Sequence, residues 1–263
     1  MIPVPMPGYS TITERPGEAA SAIQIEMLEA RYRWATEQAG GKDVLEVACG
    51  AGIGLPVLAE VARSVRAGDP DAANLLFART LCAGNPNIAV HALHAEKLPF
   101  ASESFDLVLL FEAIYYLADV RRFLRETYRV LREGGTLLIV SVNPEWSGFN
   151  PSPLNTRYWS AAELLSVLME ESFSAGVQGA FPEDGGWAAS LVGILRRAAV
   201  ALKLIPRTMR GKALLKRLFY GPTKAVPRLL VNSASVLHLG QLCDCTGDRR
   251  YRVLYATARK AIA

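Results

Sequence analysis

Val44-Leu45-Glu46-Val47-Ala48-Cys49-Gly50-Ala51-Gly52-Ile53-Gly54 decides how the rest of the chain is read. A run of aliphatic and β-branched residues ends in alternating glycines, and apolar residues at helical spacing follow through Val57, Leu58 and Val61. That order is a buried strand, a tight turn and a helix start. Gly50 and Gly52 carry no Cβ, so backbone and ligand can approach closely there. The unpaired N–H groups of a helix start can meet electronegative ligand atoms. Every parallel α/β fold holds several such units, so the neighbouring stretches must carry the assignment.

Downstream the same alternation repeats. Strand patterns run over Ser64–Gly68, Ile88–Leu93, Ser104–Phe111, Thr136–Val142, Ala175–Phe181 and Tyr251–Ala258. Helical patterns stand between them, as in Ala73–Arg79 and in Val120–Leu131 with Phe123, Leu124, Thr127 and Val130 on one face. Upstream, Met1–Gly17 is a proline-containing arm and Glu18–Gln38 reads as an amphipathic helix closed by Gly40-Gly41. Strands alternating with helices predict a doubly wound α/β domain, with its ligand crevice at the carboxyl ends of the parallel strands. That rule places Phe111, Glu112 and Tyr116 near the crevice; core packing is the other reading of Phe111.

Glu46-Val47-Ala48-Cys49-Gly50-Ala51-Gly52 resembles the first motif of class I S-adenosylmethionine (SAM)-dependent methyltransferases, in the type 11-like group with small-molecule acceptors. The glycines at 50, 52 and 54 lack the GxGxxG spacing of nicotinamide enzymes. His94-Ala95-Glu96-Lys97-Leu98-Pro99-Phe100 is similar to the family's Asp-Ala-Glu-x-Leu-Pro-Phe segment, and Leu131-Arg132-Glu133-Gly134-Gly135 to its Leu-Arg-x-Gly-Gly hallmark. The likeness runs to about Val142 and resumes at the C-terminal strand.

The resemblance implies a Rossmann-like, seven-stranded sheet whose last strand is antiparallel, with SAM as cofactor and S-adenosyl-L-homocysteine (SAH) as product. It implies cofactor contacts from Glu46, Ala48, Cys49, Gly50, Gly52, Asp69, Pro70, Ala95, Glu96 and Phe111. Asp69 ends the second strand, where a carboxylate's two oxygens suit the two ribose hydroxyls; capping the next helix is the alternative, and Asp71 can do that instead. His94 stands where the family has Asp, which leaves adenine recognition to Ala95 and Glu96. Tyr115, Tyr116 and Trp146 are candidate acceptor contacts.

Between strands six and seven the connection is long, from about Pro182 to Arg250. It holds no acidic residue between Asp184 and Asp244, while ten Lys and Arg from Arg196 to Arg228 interleave with apolar residues. This reads as amphipathic helices forming a basic lid. The organisation expected is arm and covering helix (1–40), core (41–181), helical insertion (182–250) and closing strand (251–263). A solvated subdomain, recognition of a phosphate-bearing acceptor and attachment to an anionic membrane surface are three readings of the lid.

The 263 residues are 51% hydrophobic and 21% charged, the balance of a folded globular chain. No apolar run reaches bilayer-spanning length, and the N-terminus lacks a cationic start followed by an apolar segment, so a cytoplasmic protein, peripheral at the inner membrane surface if the lid binds lipid, is expected. Four cysteines without a framework fit a reducing compartment, and Cys243-Asp244-Cys245 alone makes a poor zinc site, so no metal is expected. A net charge of +4 confined to the lid, with no nucleic-acid module, argues against nucleic-acid binding.

Methyl transfer needs orientation, a pocket and sometimes a base. Candidate bases are His238, Glu112 and His94, with His91 and Asp119 behind them. Oxygen methylation of a small or lipid- or nucleotide-linked acceptor leads, with nitrogen or carbon methylation next. A nicotinamide-dependent oxidoreductase and a non-catalytic SAM-binding or membrane-surface protein are the rivals.

Overall fold

The computed structural model describes residues 13–152, 154–182, 223–228, 230, 240–241 and 249–262. In chain order they form β1 (Ala19–Ser21), α1 (Ala22–Ala39), β2 (Asp43–Val47), α2 (Leu55–Ala59), β3 (Ser64–Asp69), α3 (Ala72–Leu81), β4 (Ile88–Ala92) and β5 (Phe105–Phe111). A single 3₁₀ turn at Ile114–Tyr116 precedes α4 (Val120–Val130), β6 (Leu131–Val142), α5 (Ala161–Glu170) and β7 (Phe173–Pro182). Then come β8 (Thr223–Ala225), β9 (Gly240–Gln241) and β10 (Tyr251–Lys260).

Val44, Leu45 and Val47 are fully buried because β2 lies in the middle of the sheet, parallel to β3 on one edge and β5 on the other. Burial on both faces is why the strand reads as a continuous apolar run. On one face Val44, Leu107 and Leu109 pack with Leu28, Leu55, Leu58 and Ala78 of α1, α2 and α3. On the other, Leu45, Val108 and Leu110 pack with Phe123, Leu124, Leu164 and Leu168 of α4 and α5. The strand order is β4-β3-β2-β5-β6-β10-β7-β9, with β10 antiparallel to both neighbours. The winding reverses between β2 and β5, which opens a crevice at their carboxyl ends.

This is the Rossmann-like sheet expected, with the two-residue β9 added beyond β7 as an eighth strand. Several boundaries differ from the sequence reading for local reasons. α1 starts at Ala22 rather than Glu18, because Ser21 and Gln24 form a capping box and Ala19–Ser21 pair with β8 instead. α2 stops at Ala59, short of Val61. β6 begins at Leu131, so Gly134 and Gly135 lie within a strand and not in a free turn. Gly134 takes φ +69°, and the register between β5 and β6 shifts between Phe105 and Leu107.

Within the insertion, the described residues 223–225 and 240–241 are strand. The helices expected there lie outside the described residues. Val226 ties this segment to the N-terminal arm, accepting from Gly17 N–H at 2.9 Å and donating to Glu18 O at 2.8 Å. No helix among the described residues is long and apolar enough to cross a membrane.

Candidate active site

A cavity of about 490 Å³ occupies the crevice. Its walls come from the β2 end and following loop (Glu46–Ala51), the β3 end (Asp69, Pro70), the segment after β4 (Leu93–Glu96), the β5 end (Phe111–Ala113) and one face of α1. Thr13 and Glu14 of the arm close one side.

The loop after β2 turns by alternation: Ala48, Gly50 and Gly52 all take left-handed backbone, at φ +57°, +56° and +76°. Only glycine adopts this without penalty, so Ala48 carries strain in the middle of the motif. The glycines serve different neighbours. A Cβ on Gly50 would sit 2.7 Å from the Thr13 methyl, and one on Gly52 would sit 2.8 Å from Ala78 Cβ of α3. Gly52 therefore answers to helix packing and is not among the residues that line the cavity. A Cβ on Gly54 would collide with the Tyr32 ring at 1.8 Å, so that glycine makes room for Tyr32.

Asp71, not Asp69, caps α3, accepting from Ala73 N–H at 2.8 Å and Asn74 N–H at 3.2 Å. Asp69 is left facing the cavity. Its Oδ2 accepts from Gly50 N–H at 3.0 Å, and its Oδ1 from Asp71 N–H at 2.9 Å and Asn74 Nδ2 at 3.3 Å. Burial raises its carboxyl above the ordinary aspartate value, against those hydrogen bonds.

Glu46 is 1% exposed. Tyr32 of α1 donates its hydroxyl to Glu46 Oε1 at 2.5 Å, and the Tyr32 ring meets Phe111 edge-on at 5.5 Å between centroids. Burial pushes the Glu46 carboxyl up to about 7, while Tyr32 and the Arg31 charge pull it down. Cys49 is a buried free thiol, also pushed up by burial.

Glu112 follows the last residue of β5 and takes φ +51°. Tyr115 donates its hydroxyl to Glu112 Oε2 at 2.9 Å, and burial pushes this carboxyl to about 7 as well, with Arg31 and Tyr115 opposing. Tyr115 and Tyr116 line the cavity beside it, and Tyr116 donates to Ser152 Oγ at 3.2 Å. Arg31, buried in α1, pairs with Glu14.

Of the residues singled out from the sequence, Glu46, Ala48, Cys49, Gly50, Asp69, Pro70, Ala95, Glu96, Phe111, Glu112, His94, Tyr115 and Tyr116 line this one cavity. His94 is at its exposed rim, and Glu96 Oε1 is engaged by Asp119 N–H at 2.9 Å. Trp146 is elsewhere, under the Arg252 guanidinium at 4.9 Å. His238 lies outside the described residues. Arg31 and Asn74 were not anticipated. Arg31 falls one turn from Leu28 on the inward face of α1, and Asn74 sits one turn beyond the Asp71 cap; those positions were the available signals.

The residues fit SAM. Glu46 Oε2 is buried without a hydrogen-bond partner, which is costly unless a donor meets it, and the ammonium of a methionine tail is such a donor. A wall bearing Glu14, Glu46, Asp69, Glu96 and Glu112 against Arg31 suits a cationic sulfonium.

Residues 45–139 match the family described as methyltransferase domain. A chain from Mycolicibacterium smegmatis described as a probable S-adenosylmethionine-dependent methyltransferase is 34% identical over 176 residues, 65% of this chain and 65% of that one. A ubiquinone biosynthesis O-methyltransferase of Sinorhizobium fredii is 34% identical over 104 residues, 39% of this chain and 42% of that one. The chain thus spans 65% or less of the length of these curated relatives. In fold, the crystal structure of the YcgJ protein from Bacillus subtilis superposes with a TM-score of 0.59 at 16% identity, covering 90% of this chain and 100% of that one. The segment 45–139 is a methyltransferase domain. Its sheet order and glycine loop are those of the Rossmann-like fold that the solved neighbours share, and its acidic crevice fits SAM.

Proposed function

We propose that the chain transfers a methyl group from SAM to a hydroxyl oxygen of a small-molecule acceptor. One observation carries the reading: Asp69, the unpartnered Glu46 oxygen and a second carboxyl, Glu112, share a single cavity at the switch point of the sheet. When bound, SAM supplies an electrophilic methyl group. Asp69 would accept from the ribose hydroxyls, Glu46 would meet the tail ammonium, and Ala95 and Glu96 would border the adenine. Met27 and Leu28 of α1, with Tyr115 and Tyr116, form an apolar wall that orients the acceptor and keeps water from it. The name of the Sinorhizobium relative supports oxygen over nitrogen or carbon. The acidic wall favours a neutral or cationic reacting group, so a phosphate on the acceptor belongs outside the cavity.

Calorimetry with SAM, SAH and NAD tests the cofactor, and incubation with methyl-labelled SAM and hydroxylated acceptors tests transfer. NAD binding without SAM binding would reverse the reading; tight SAM binding without transfer to any acceptor would favour a non-catalytic role. Flotation with anionic liposomes tests the membrane reading of the lid, and equal flotation after neutralising Arg196, Arg197, Lys216 and Arg217 removes it.

A further inference from the structure

We propose that Glu112 is the group that takes the proton from the acceptor's hydroxyl, an assignment that rests on the methyltransferase reading above. Its place in the fold comes first. β5 runs beside β2, so Glu112, the residue just past the end of β5, lines the same cavity as the loop that follows β2. The Glu112 backbone is anchored, its N–H donating to Val140 O at 2.8 Å, while the residue holds φ +51°. A non-glycine residue in that region is strained, and such strain concentrates where a side chain must be aimed.

The carboxyl is held and not merely placed. Tyr115 donates to Oε2 at 2.9 Å, and the Tyr115 ring is itself wedged against Tyr116 and stacked on Tyr158, with centroids 4.5 and 4.8 Å away. The charged and titratable groups acting on it come from several elements: Arg31 from α1, Glu14 from the arm, Tyr115 beside it, Tyr158 before α5 and Tyr255 from β10. Burial dominates and lifts the carboxyl to about 7, close to working pH, where a base is most effective. Of the other candidates among the described residues, Asp119 caps α4 through Arg122 N–H, His91 packs edge-on against Phe100, and His94 stands at the exposed rim of the cavity.

In the step, the acceptor's O–H bond breaks and its proton passes to the ionised Glu112 carboxylate. The oxygen's electron pair forms the new bond to the methyl carbon. The carbon–sulfur bond breaks with its pair left on sulfur, so the sulfonium becomes the neutral thioether of SAH. The Arg31 guanidinium, which lines the same cavity, stabilises negative charge as it grows on the oxygen.

The test uses the full chain, methyl-labelled SAM, and catechol and 3,4-dihydroxybenzoate as acceptor probes. Glu112→Gln should lose roughly 10²–10³-fold in turnover while binding SAH within about twofold of the parent by calorimetry. The parent's turnover should fall as pH drops below about 7, and Tyr115→Phe should move that limb upward by removing a bond that favours the ionised form. A protonated-carboxyl infrared band that disappears through about pH 7 should have one component missing in Glu112→Gln and another in Glu46→Gln. Turnover of Glu112→Gln within threefold of the parent, or an infrared band unchanged by it, overturns the assignment. If the parent binds SAH but methylates neither probe, the oxygen-transfer reading falls and the assignment falls with it; the infrared component lost in Glu112→Gln then tells that failure from a misplaced carboxyl.

Discussion

Two carboxyls line the cavity, Glu46, buried in β2, and Glu112, half-buried after β5; we propose the first for the cofactor and the second for the acceptor. Glu46 sits on β2 and Glu112 follows the neighbouring β5; both take a hydrogen bond from a tyrosine, and burial pushes both to about 7. They differ in what surrounds them. Glu46 lies within regular β2, held by a helix packed over it, and keeps one oxygen unpartnered. Glu112 lies just past the end of β5 on strained backbone, with Glu14 of the arm acting on it besides the Arg31 charge that both carboxyls share. A regular strand suits a group that must stay still and wait for a cation. A strained strand end suits a group that must be aimed at a reacting atom and change its protonation state.

The largest effect should come from the cofactor side. Asp69→Asn replaces one acceptor oxygen with a donor, and SAM affinity should drop about a hundredfold, roughly the worth of the charged hydrogen bonds lost. Calorimetry checks this; an unchanged affinity would place the nucleoside away from β3 and dissolve the contrast between the two sides.

Stability against pH sharpens the comparison next. Each carboxyl has a folded value raised above its unfolded one, so the stability it permits is full below about pH 4.5 and is lost as pH rises through about 7. Glu46→Gln should therefore make the cofactor-free protein more stable at pH 8, by about 2 kcal/mol, with the gain vanishing toward pH 5. Thermal melts at both pH values decide it, and SAM affinity should fall in the same variant.

At the opposite end of β2, Asp43 behaves in reverse. Hydrogen bonds from Arg63, then from Ser64 and Arg132, hold its carboxyl well below the usual range. Its contribution is present above about pH 4 and is lost on acidification through the depressed value. Arg63 is 59% exposed, so screening limits the effect; Asp43→Asn should cost about 1 kcal/mol with SAM affinity unchanged. A loss of affinity would mean that the two ends of the strand are coupled. The smallest change is Ala48→Gly, which relieves the left-handed strain and stabilises by about 0.5 kcal/mol after the added freedom of the unfolded chain. Melting at constant pH measures it.

The cofactor side was legible in the sequence because its chemistry is local. Glu46 is the next-to-last residue of β2, Gly50 follows that strand and Asp69 ends β3, and a strand's periodicity says where it ends. The Asp69–Asp71 ambiguity needed backbone coordinates, since both residues suit a cap and only the helix start shows which one is used. Gly52 shows the limit from the other direction: the motif suggested a ligand contact, but its missing side chain makes room for Ala78, a residue 26 positions away. Trp146 looked like a pocket aromatic, and its partner across the fold is Arg252.

The sequence alone determined the alternation of strands and helices, and with it the crest on which a nucleotide-like cofactor lies, because apolar periodicity and turn residues act over a few neighbours. Only the tertiary structure decided that Arg31 and Glu14 meet beside Glu112, and that two glutamates far apart in the chain share one desolvated cavity. Those properties come from burial and from charges brought together over long separations, which no local pattern of residues records.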